Sequence, residues 1–193
     1  MNRNPFQVDL KVKAIVLAVS VLMLSACARQ EEKRVAVIET DLGTIKFELL
    51  EEESPVTAEN FRLLAERGFY DGLIFHRTIN GFMIQGGDPN GNGTGGETAT
   101  GAPLPNEINP NSELYKSGYQ RGFVAVANKG TPETGSSQFF IMHQQRPLSP
   151  SYTIFGRVVE GMEVVDKIAT IPTSPPTNRP ASPVAMKKVY IQQ

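Results

Sequence analysis

The stretch that decides the fold runs from Phe75 to Asp88 and has the sequence FHRTINGFMIQGGD. It holds two short strand candidates, residues 75–79 and 82–85. Four of its side chains are candidates for one shared surface, in which a cation and an amide lie beside two large apolar groups: Arg77, Phe82, Met83 and Gln85. The residues alone leave two interpretations open, a surface arginine near aromatic rings and a binding site.

The segments around this stretch predict a mainly-β protein. Residues 35–40 and 44–50 form a predicted hairpin, since apolar and charged residues alternate after the turn at Asp41 and Gly43. A helix is predicted from the Ser54-Pro55 start to Gly68, and a shorter helix over 161–169. Strand candidates outside the opening stretch and the hairpin are 123–127, 138–142, 153–159 and 184–191. Eight strands and two helices favour a closed eight-stranded antiparallel β-barrel capped by the helices.

Composition limits the class of protein. A chain of 193 residues with 40% hydrophobic content is long enough for one domain with a real core. Its 19 basic and 20 acidic residues give a net charge of -1, so no nucleic-acid partner is expected. The proline-rich stretch 172–183 is predicted to be an internal loop, because a strand candidate follows it.

Two further stretches, GFVAVAN at 122–128 and GSSQFFI at 135–141, carry a family resemblance together with the opening stretch. In this order they resemble the signatures of cyclophilin-type peptidyl-prolyl cis/trans isomerases, and the similarity extends from about Val35 to Ile191. The resemblance implies catalysis by Arg77, Phe82 and Gln85 without a cofactor or metal. It implies substrate binding by a larger set: Met83, Ala127, Asn128, Gln138, Phe140, Leu148 and Tyr152.

The sequence departs from well-known members of that family at two positions. Pro147 stands where many members carry tryptophan, and Tyr152 stands where many carry histidine. The tryptophan is associated with tight cyclosporin binding, so weak inhibition by that drug is expected.

An alternative function is that of a peptide-binding module, which holds proline-containing segments without turnover. Arg77 argues against this alternative, because simple binding of a proline ring gains little from a donor aimed at the imide nitrogen.

The N-terminus predicts export and lipidation. Basic residues precede the apolar run 14–24, and Leu24-Ser25-Ala26-Cys27 resembles a bacterial lipobox. We therefore predict a signal peptide at 1–26, a lipidated Cys27 with a tether over 27–33, and an isomerase domain at 34–193. The apolar run is shorter than the about 20 residues that span a bilayer. A chance cysteine after an ordinary signal peptide is the alternative.

The predicted location is the bacterial cell envelope. In an organism with two membranes, the periplasmic face of the outer membrane is favoured, because Ala28 stands where the inner-membrane retention signal of enteric lipoproteins has aspartate. The expected partners are proline-containing client proteins and, through Cys27, the lipid bilayer, and a monomer is expected.

A calcium loop starting at Asp88 is not predicted, because Ala99 occupies the position of its bidentate glutamate. His76 and His143, the only histidines, are predicted to be structural.

Overall fold

The computed structural model describes residues 33–192, which lie in a compact unit spanning Lys33–Gln193. The predicted signal peptide and Cys27 lie outside the described residues. The unit opens with the hairpin of β1, Val35–Thr40, and β2, Gly43–Leu49. Ile45, Phe47 and Leu49 are buried while Lys46 and Glu48 between them are more exposed, which is the period-two pattern of a half-buried strand.

The remaining strands of the main sheet are short. They are β3, Arg77–Ile79; β4, Met83–Gly86; β5, Phe123–Val126; β6, Phe139–Met142; β7, Ile154–Glu160; and β10, Lys188–Gln192. All pairs are antiparallel, and the order across the sheet is β10-β1-β2-β7-β5-β6-β4-β3. The predicted eight-stranded, mainly-β architecture is therefore confirmed.

Closure of the sheet into a barrel is only approximate. The strands at its two ends, β3 and β10, do not pair with each other along their lengths. The segments that precede them meet instead, through a bridge between Ile74 and Ala185 and a hydrogen bond of 3.0 Å from the Phe75 N–H to the Val184 carbonyl. The sheet is therefore strongly curled, and irregular backbone closes the seam between β3 and β10. The predicted closed barrel is confirmed only approximately.

Three α-helices lie among the described residues, one more than predicted. They are α1, Pro55–Glu66; α2, the four-residue Glu113–Lys116; and α3, Met162–Ala169. A 3-10 turn covers Pro132–Thr134. The predicted proline-rich loop is internal and contains a two-stranded hairpin of β8, Thr173–Ser174, and β9, Arg179–Pro180. No helix within residues 33–192 is long and apolar enough to cross a membrane.

The start of α1 is capped by a distant residue. Ser54 occupies the N-cap position, but its hydroxyl donates to the backbone carbonyls of Leu50 and Ile154. The carboxylate of Glu107 instead accepts the N–H groups of Val56 and Thr57, both at 2.9 Å. These bonds satisfy two helix donors that have no partner inside the helix and tie α1 to the loop that precedes α2.

Two apolar clusters fill the unit. The larger lies between the curled sheet and the helices α1 and α3, and Phe61 of α1 contacts the rings of Phe47, Tyr70, Phe139 and Phe155 there. The smaller cluster includes Met83, Phe140 and Tyr119. Because neighbouring residues of a strand face opposite ways, Phe139 belongs to the larger cluster and Phe140 to the smaller one.

Candidate active site

The smaller cluster forms the floor of a surface groove of about 490 Å³. Two adjacent strands contribute to its floor, since Gln85 of β4 is opposite Phe140 of β6 and both residues line the groove. Met83 lies two residues before Gln85 and so faces the same side of β4. This register places the apolar side chains of Met83 and Phe140 and the amide of Gln85 on one surface.

Arg77 lies beside this floor because β3 pairs directly with β4, where Arg77 is opposite Gln85. The guanidinium Nη1 donates to the Gln85 side-chain oxygen at 3.1 Å. The Gln85 amide then donates to Gln138 at 3.0 Å, and the Gln138 amide donates to the carbonyl of Gly95 at 2.6 Å. This chain of bonds fixes both amides and orients the guanidinium at the edge of an apolar surface.

Most of the predicted site residues lie together. The groove is lined by eight of the ten: Arg77, Phe82, Met83, Gln85, Ala127, Asn128, Phe140 and Tyr152. Gln138 is 6% exposed and does not line the groove, but its side-chain oxygen accepts a hydrogen bond from the Gln85 amide. Leu148 packs against the smaller cluster, but it lines a neighbouring surface depression together with Pro147. The roles assigned to these residues stay predictions, while their spatial grouping is an observation.

The wall at Tyr152 is held by the buried Tyr119. The Tyr119 hydroxyl donates to the Tyr152 carbonyl at 2.8 Å and accepts the Tyr152 N–H at 3.0 Å. The Tyr152 ring meets Phe140 edge to face, with a centroid distance of 5.3 Å. The Asn128 side chain donates to the Ser151 carbonyl at 2.7 Å. A tyrosine at position 152 therefore packs as an apolar wall of the groove.

Asp88 organises the loop beside the groove. It is 1% exposed, and its carboxylate accepts the backbone N–H groups of Asn90, Asn92, Gly93 and Gly95. Burial raises the pKa of the Asp88 carboxyl, but the N–H bonds outweigh burial and hold the pKa below its usual value. The carboxylate thus serves as a backbone cap. No group of three or more potential metal-ligating side chains occurs among residues 33–192.

We expect Asp88→Asn to destabilise the protein by about 1–3 kcal/mol near neutral pH, because an amide cannot accept four N–H bonds. With a lowered pKa in the folded state, the charged carboxylate stabilises the protein above the unfolded-state pKa, and this contribution is lost as pH falls through the folded pKa. Urea unfolding across acidic pH measures both effects. The control Asp41→Asn alters an exposed aspartate and should change little. Equal losses in the two variants would contradict this role.

The turn before Phe82 is held by His143. The His143 Nδ1 accepts the Gly81 N–H at 3.0 Å, and the His143 backbone N–H donates to the Phe82 carbonyl at 2.8 Å. On its other side, His143 Nε2 lies 3.2 Å from the carboxylate of Asp166, which also binds Arg121 through both oxygens. His143 is 6% exposed, and its two bonds to the turn position Phe82, which gives a specific form to the structural role predicted for this histidine.

His143→Phe is expected to lower kcat/KM for a proline peptide by about tenfold, because a displaced Phe82 reshapes the pocket. His143→Asn should restore part of the loss, since its side-chain oxygen can accept the Gly81 N–H. The loss should appear in kcat/KM while the folded fraction, checked by circular dichroism, stays high. If His143→Asn loses as much kcat/KM as His143→Phe, the bond from the Gly81 N–H is not what His143 contributes to activity.

Five residues of the groove were missed by the sequence interpretation: His76, Asn92, Gly93, Thr177 and Arg179. His76 was noted only as structural, and the others come from loops whose place in space the strand pattern does not reveal. Two contacts join the proline-rich loop to the groove: the Thr78 N–H donates to the Asn178 carbonyl at 2.9 Å, and Arg179 Nη1 donates to the carbonyl of Gly91. The proline-rich loop therefore completes one wall of the groove.

Comparison with known proteins agrees with this fold. Residues 35–191 match the family model of cyclophilin type peptidyl-prolyl cis-trans isomerase/CLD. The chain is 43% identical to peptidyl-prolyl cis-trans isomerase-like 3 of Homo sapiens over 155 residues, covering 80% of this chain and 93% of the relative. It is 44% identical to peptidyl-prolyl cis-trans isomerase CYP18-1 of Arabidopsis thaliana, over the same shares of each chain.

Solved structures show the same relationship. A crystal structure of a Cryptosporidium parvum cyclophilin type peptidyl-prolyl cis-trans isomerase matches with a TM-score of 0.76 and 36% identity, covering 83% of this chain and 98% of that one. A second structure, in the presence of the dipeptide Ala-Pro, matches with a TM-score of 0.75 and 35% identity, over 82% of this chain and 99% of that one. The chain belongs to the cyclophilin-type peptidyl-prolyl cis-trans isomerase family. Its activity is rotation about Xaa-Pro bonds, EC 5.2.1.8.

Proposed function

We propose that Arg77 is the group through which this isomerase lowers the rotational barrier. Rotation about an Xaa-Pro bond is slow, with a barrier near 20 kcal/mol, because amide resonance must be broken. No bond is made or cleaved, so the enzyme needs only to bind the twisted amide more tightly than either planar form. In the twisted state the prolyl nitrogen is pyramidal and recovers a lone pair, which a guanidinium N–H can meet.

The observation that carries this proposal is the fixed position of the guanidinium, 3.1 Å from Gln85 beside an apolar floor. A preorganised donor at a water-poor surface stabilises developing charge without having to reorganise. Phe82, Met83 and Phe140 then supply the pocket for the proline ring. Exchange NMR on a proline peptide, with the native protein and Arg77→Ala, tests the proposal because it reports turnover and affinity on the same sample.

We further propose that the enzyme acts on proline-containing proteins outside the cytoplasm, as a monomeric bacterial lipoprotein anchored through Cys27. Support comes from the basic N-terminus, the apolar run 14–24 and the lipobox-like Leu24–Cys27. Cys27 is the only cysteine, so no disulfide within the chain competes for its thiol. The six residues 28–33 extend to at most about 20 Å, which keeps the groove near the bilayer and favours clients in the envelope.

Cys27→Ala is expected to abolish lipidation, leaving an uncleaved or mislocalised precursor whose isomerase domain is still active. Mass spectrometry of protein from the native host should find acyl chains on Cys27 of the native protein and none on the variant. The matched control is Ser25→Ala, which keeps small residues before the thiol and should still be modified. An unmodified Cys27 in protein purified from native membranes would overturn the anchor while leaving the isomerase activity in place.

A further inference from the structure

One wall of the groove differs in character from the proline pocket. Its side chains are polar or cationic, and they come from three separate segments: His76, Arg77, Asn92, Thr177 and Arg179. Among residues 33–192, no aspartate or glutamate lines the groove. Since the whole chain has a net charge of -1, two arginines in one groove without a lining carboxylate form a local positive site on a nearly neutral protein.

Arg179 gives this wall its exposed charge. It lies on β9, and its Nη1 donates to the carbonyl of Gly91, which ties the guanidinium to the loop beside the groove. Neither Arg77 nor Arg179 forms a salt bridge within residues 33–192. A guanidinium has five N–H donors, so Arg179 retains donors for a ligand after binding one carbonyl.

His76 provides a second, independent sign of a ligand. Its side chain lines the groove, yet the residue is 4% exposed and neither ring nitrogen has a hydrogen-bond partner among the described residues. A buried polar group without a partner is costly and calls for an explanation, and beside a groove a bound ligand is one that fits. Burial, and then the charges of Arg179 and Arg77, lower the pKa of His76 against the opposing effect of Asp88. A neutral imidazole still offers one N–H donor.

Asp88 is the carboxylate that opposes an anion at this wall. It is 1% exposed and does not line the groove, and its oxygens accept four backbone N–H groups. Its negative charge is therefore partly compensated by those dipoles, whereas the two guanidiniums face the groove directly. The charged side chains that line the wall are therefore the two guanidiniums, which are hydrogen-bond donors only.

From this arrangement we infer that the wall is a subsite for an acidic side chain of the client, an aspartate or glutamate close to the isomerised proline. The inference rests on the proposed function and adds a substrate preference to it. Arg179 is the specificity-determining residue, and His76 adds a donor at the base of the wall. Because Arg179 is exposed, the preference for a carboxylate over its amide is expected to be about two- to fivefold at low salt, and smaller at high salt.

The test compares proline peptides in which glutamate, glutamine or lysine is placed in turn at each of three positions on either side of the proline. Exchange NMR with the purified full chain gives kcat/KM and affinity for every peptide. At one or more positions the Glu/Gln ratio of kcat/KM should be about two to five at low salt, with lysine the poorest of the three. The ratio should fall to about one in Arg179→Gln and be largely kept in Arg179→Lys.

Arg157→Gln is the matched control. Arg157 is exposed and lies over the ring of Phe123, outside the groove, and its loss changes the net charge by the same amount. It should keep both the ratio and the turnover. A ratio of one at all six positions in the native protein, or a preference that survives Arg179→Gln, would overturn the subsite. Absence of turnover with every peptide would instead contradict the isomerase function on which the inference rests, and the Glu/Gln ratio of affinities would still test the subsite.

Discussion

Replacing Arg77 by alanine is expected to lower kcat/KM for a proline peptide by about 100- to 1000-fold, the effect of removing one preorganised donor from a transition state. Peptide affinity should change much less, because the planar ground state offers no lone pair on the prolyl nitrogen. Exchange NMR measures both quantities on one sample. The size of the effect depends on how firmly the guanidinium is held, and its bond to Gln85 is the contact that holds it.

Two further variants separate charge from geometry. Arg77→Lys should rescue the activity only in part, since a flexible ammonium does not reproduce the planar fork of a guanidinium. Gln85→Leu keeps Arg77 but removes its 3.1 Å acceptor and the bond to Gln138, so it should show an intermediate loss. A near-normal exchange rate in Arg77→Ala, or an equal loss of binding and turnover, would favour a peptide-holding module over a selective catalyst.

The strand pattern of the sequence placed Arg77, Met83 and Gln85 on neighbouring strands, but it left a surface arginine and a binding site both open. The family resemblance added Phe140 to the predicted site. In the antiparallel pairs β3–β4 and β4–β6, register places Arg77 opposite Gln85 and Gln85 opposite Phe140. Period-two alternation then assigns each residue to a face of its strand, whereas the pairing of Gln85 with Phe140 joins distant segments and is not visible in the local sequence. The same alternation predicted the main strands to within a few residues, apart from the segments at the seam.

The groove walls and the seam depend on contacts between residues far apart in the chain. Arg179 reaches the loop at Gly91 across 88 positions, and Glu107 caps α1 across about 50. Neither contact leaves a periodic signal in the sequence, because a loop side chain that binds a backbone group has no pattern of neighbours to reveal it. Leu148, which the family resemblance implies as a groove residue, packs against the smaller cluster and lines the neighbouring depression, and its role in substrate binding stays a prediction.

Phe61 connects the core to the site. Its ring lies 5.6 Å from Phe139 and 5.5 Å from Phe155, measured between centroids, and stacks on Tyr70 at 4.8 Å. Phe139 precedes Phe140 on β6, and the two side chains leave opposite faces of that strand. Packing of α1 against one face of β6 therefore supports the strand whose other face is the floor of the groove.

Phe61→Ala is expected to lower the free energy of unfolding by about 3–5 kcal/mol, because the cavity loses contacts with four aromatic rings at once. Phe69→Ala is the matched control: the same atoms are removed from a partly buried ring that contacts Tyr70 alone among the aromatic residues, so its loss should be clearly smaller. Urea unfolding of both variants at neutral pH gives the comparison. Since the four aromatic rings that Phe61 contacts lie outside the groove, kcat/KM per folded molecule should fall far less than in Arg77→Ala. Equal destabilisation by the two phenylalanine variants would show that α1 does not anchor the sheet through Phe61.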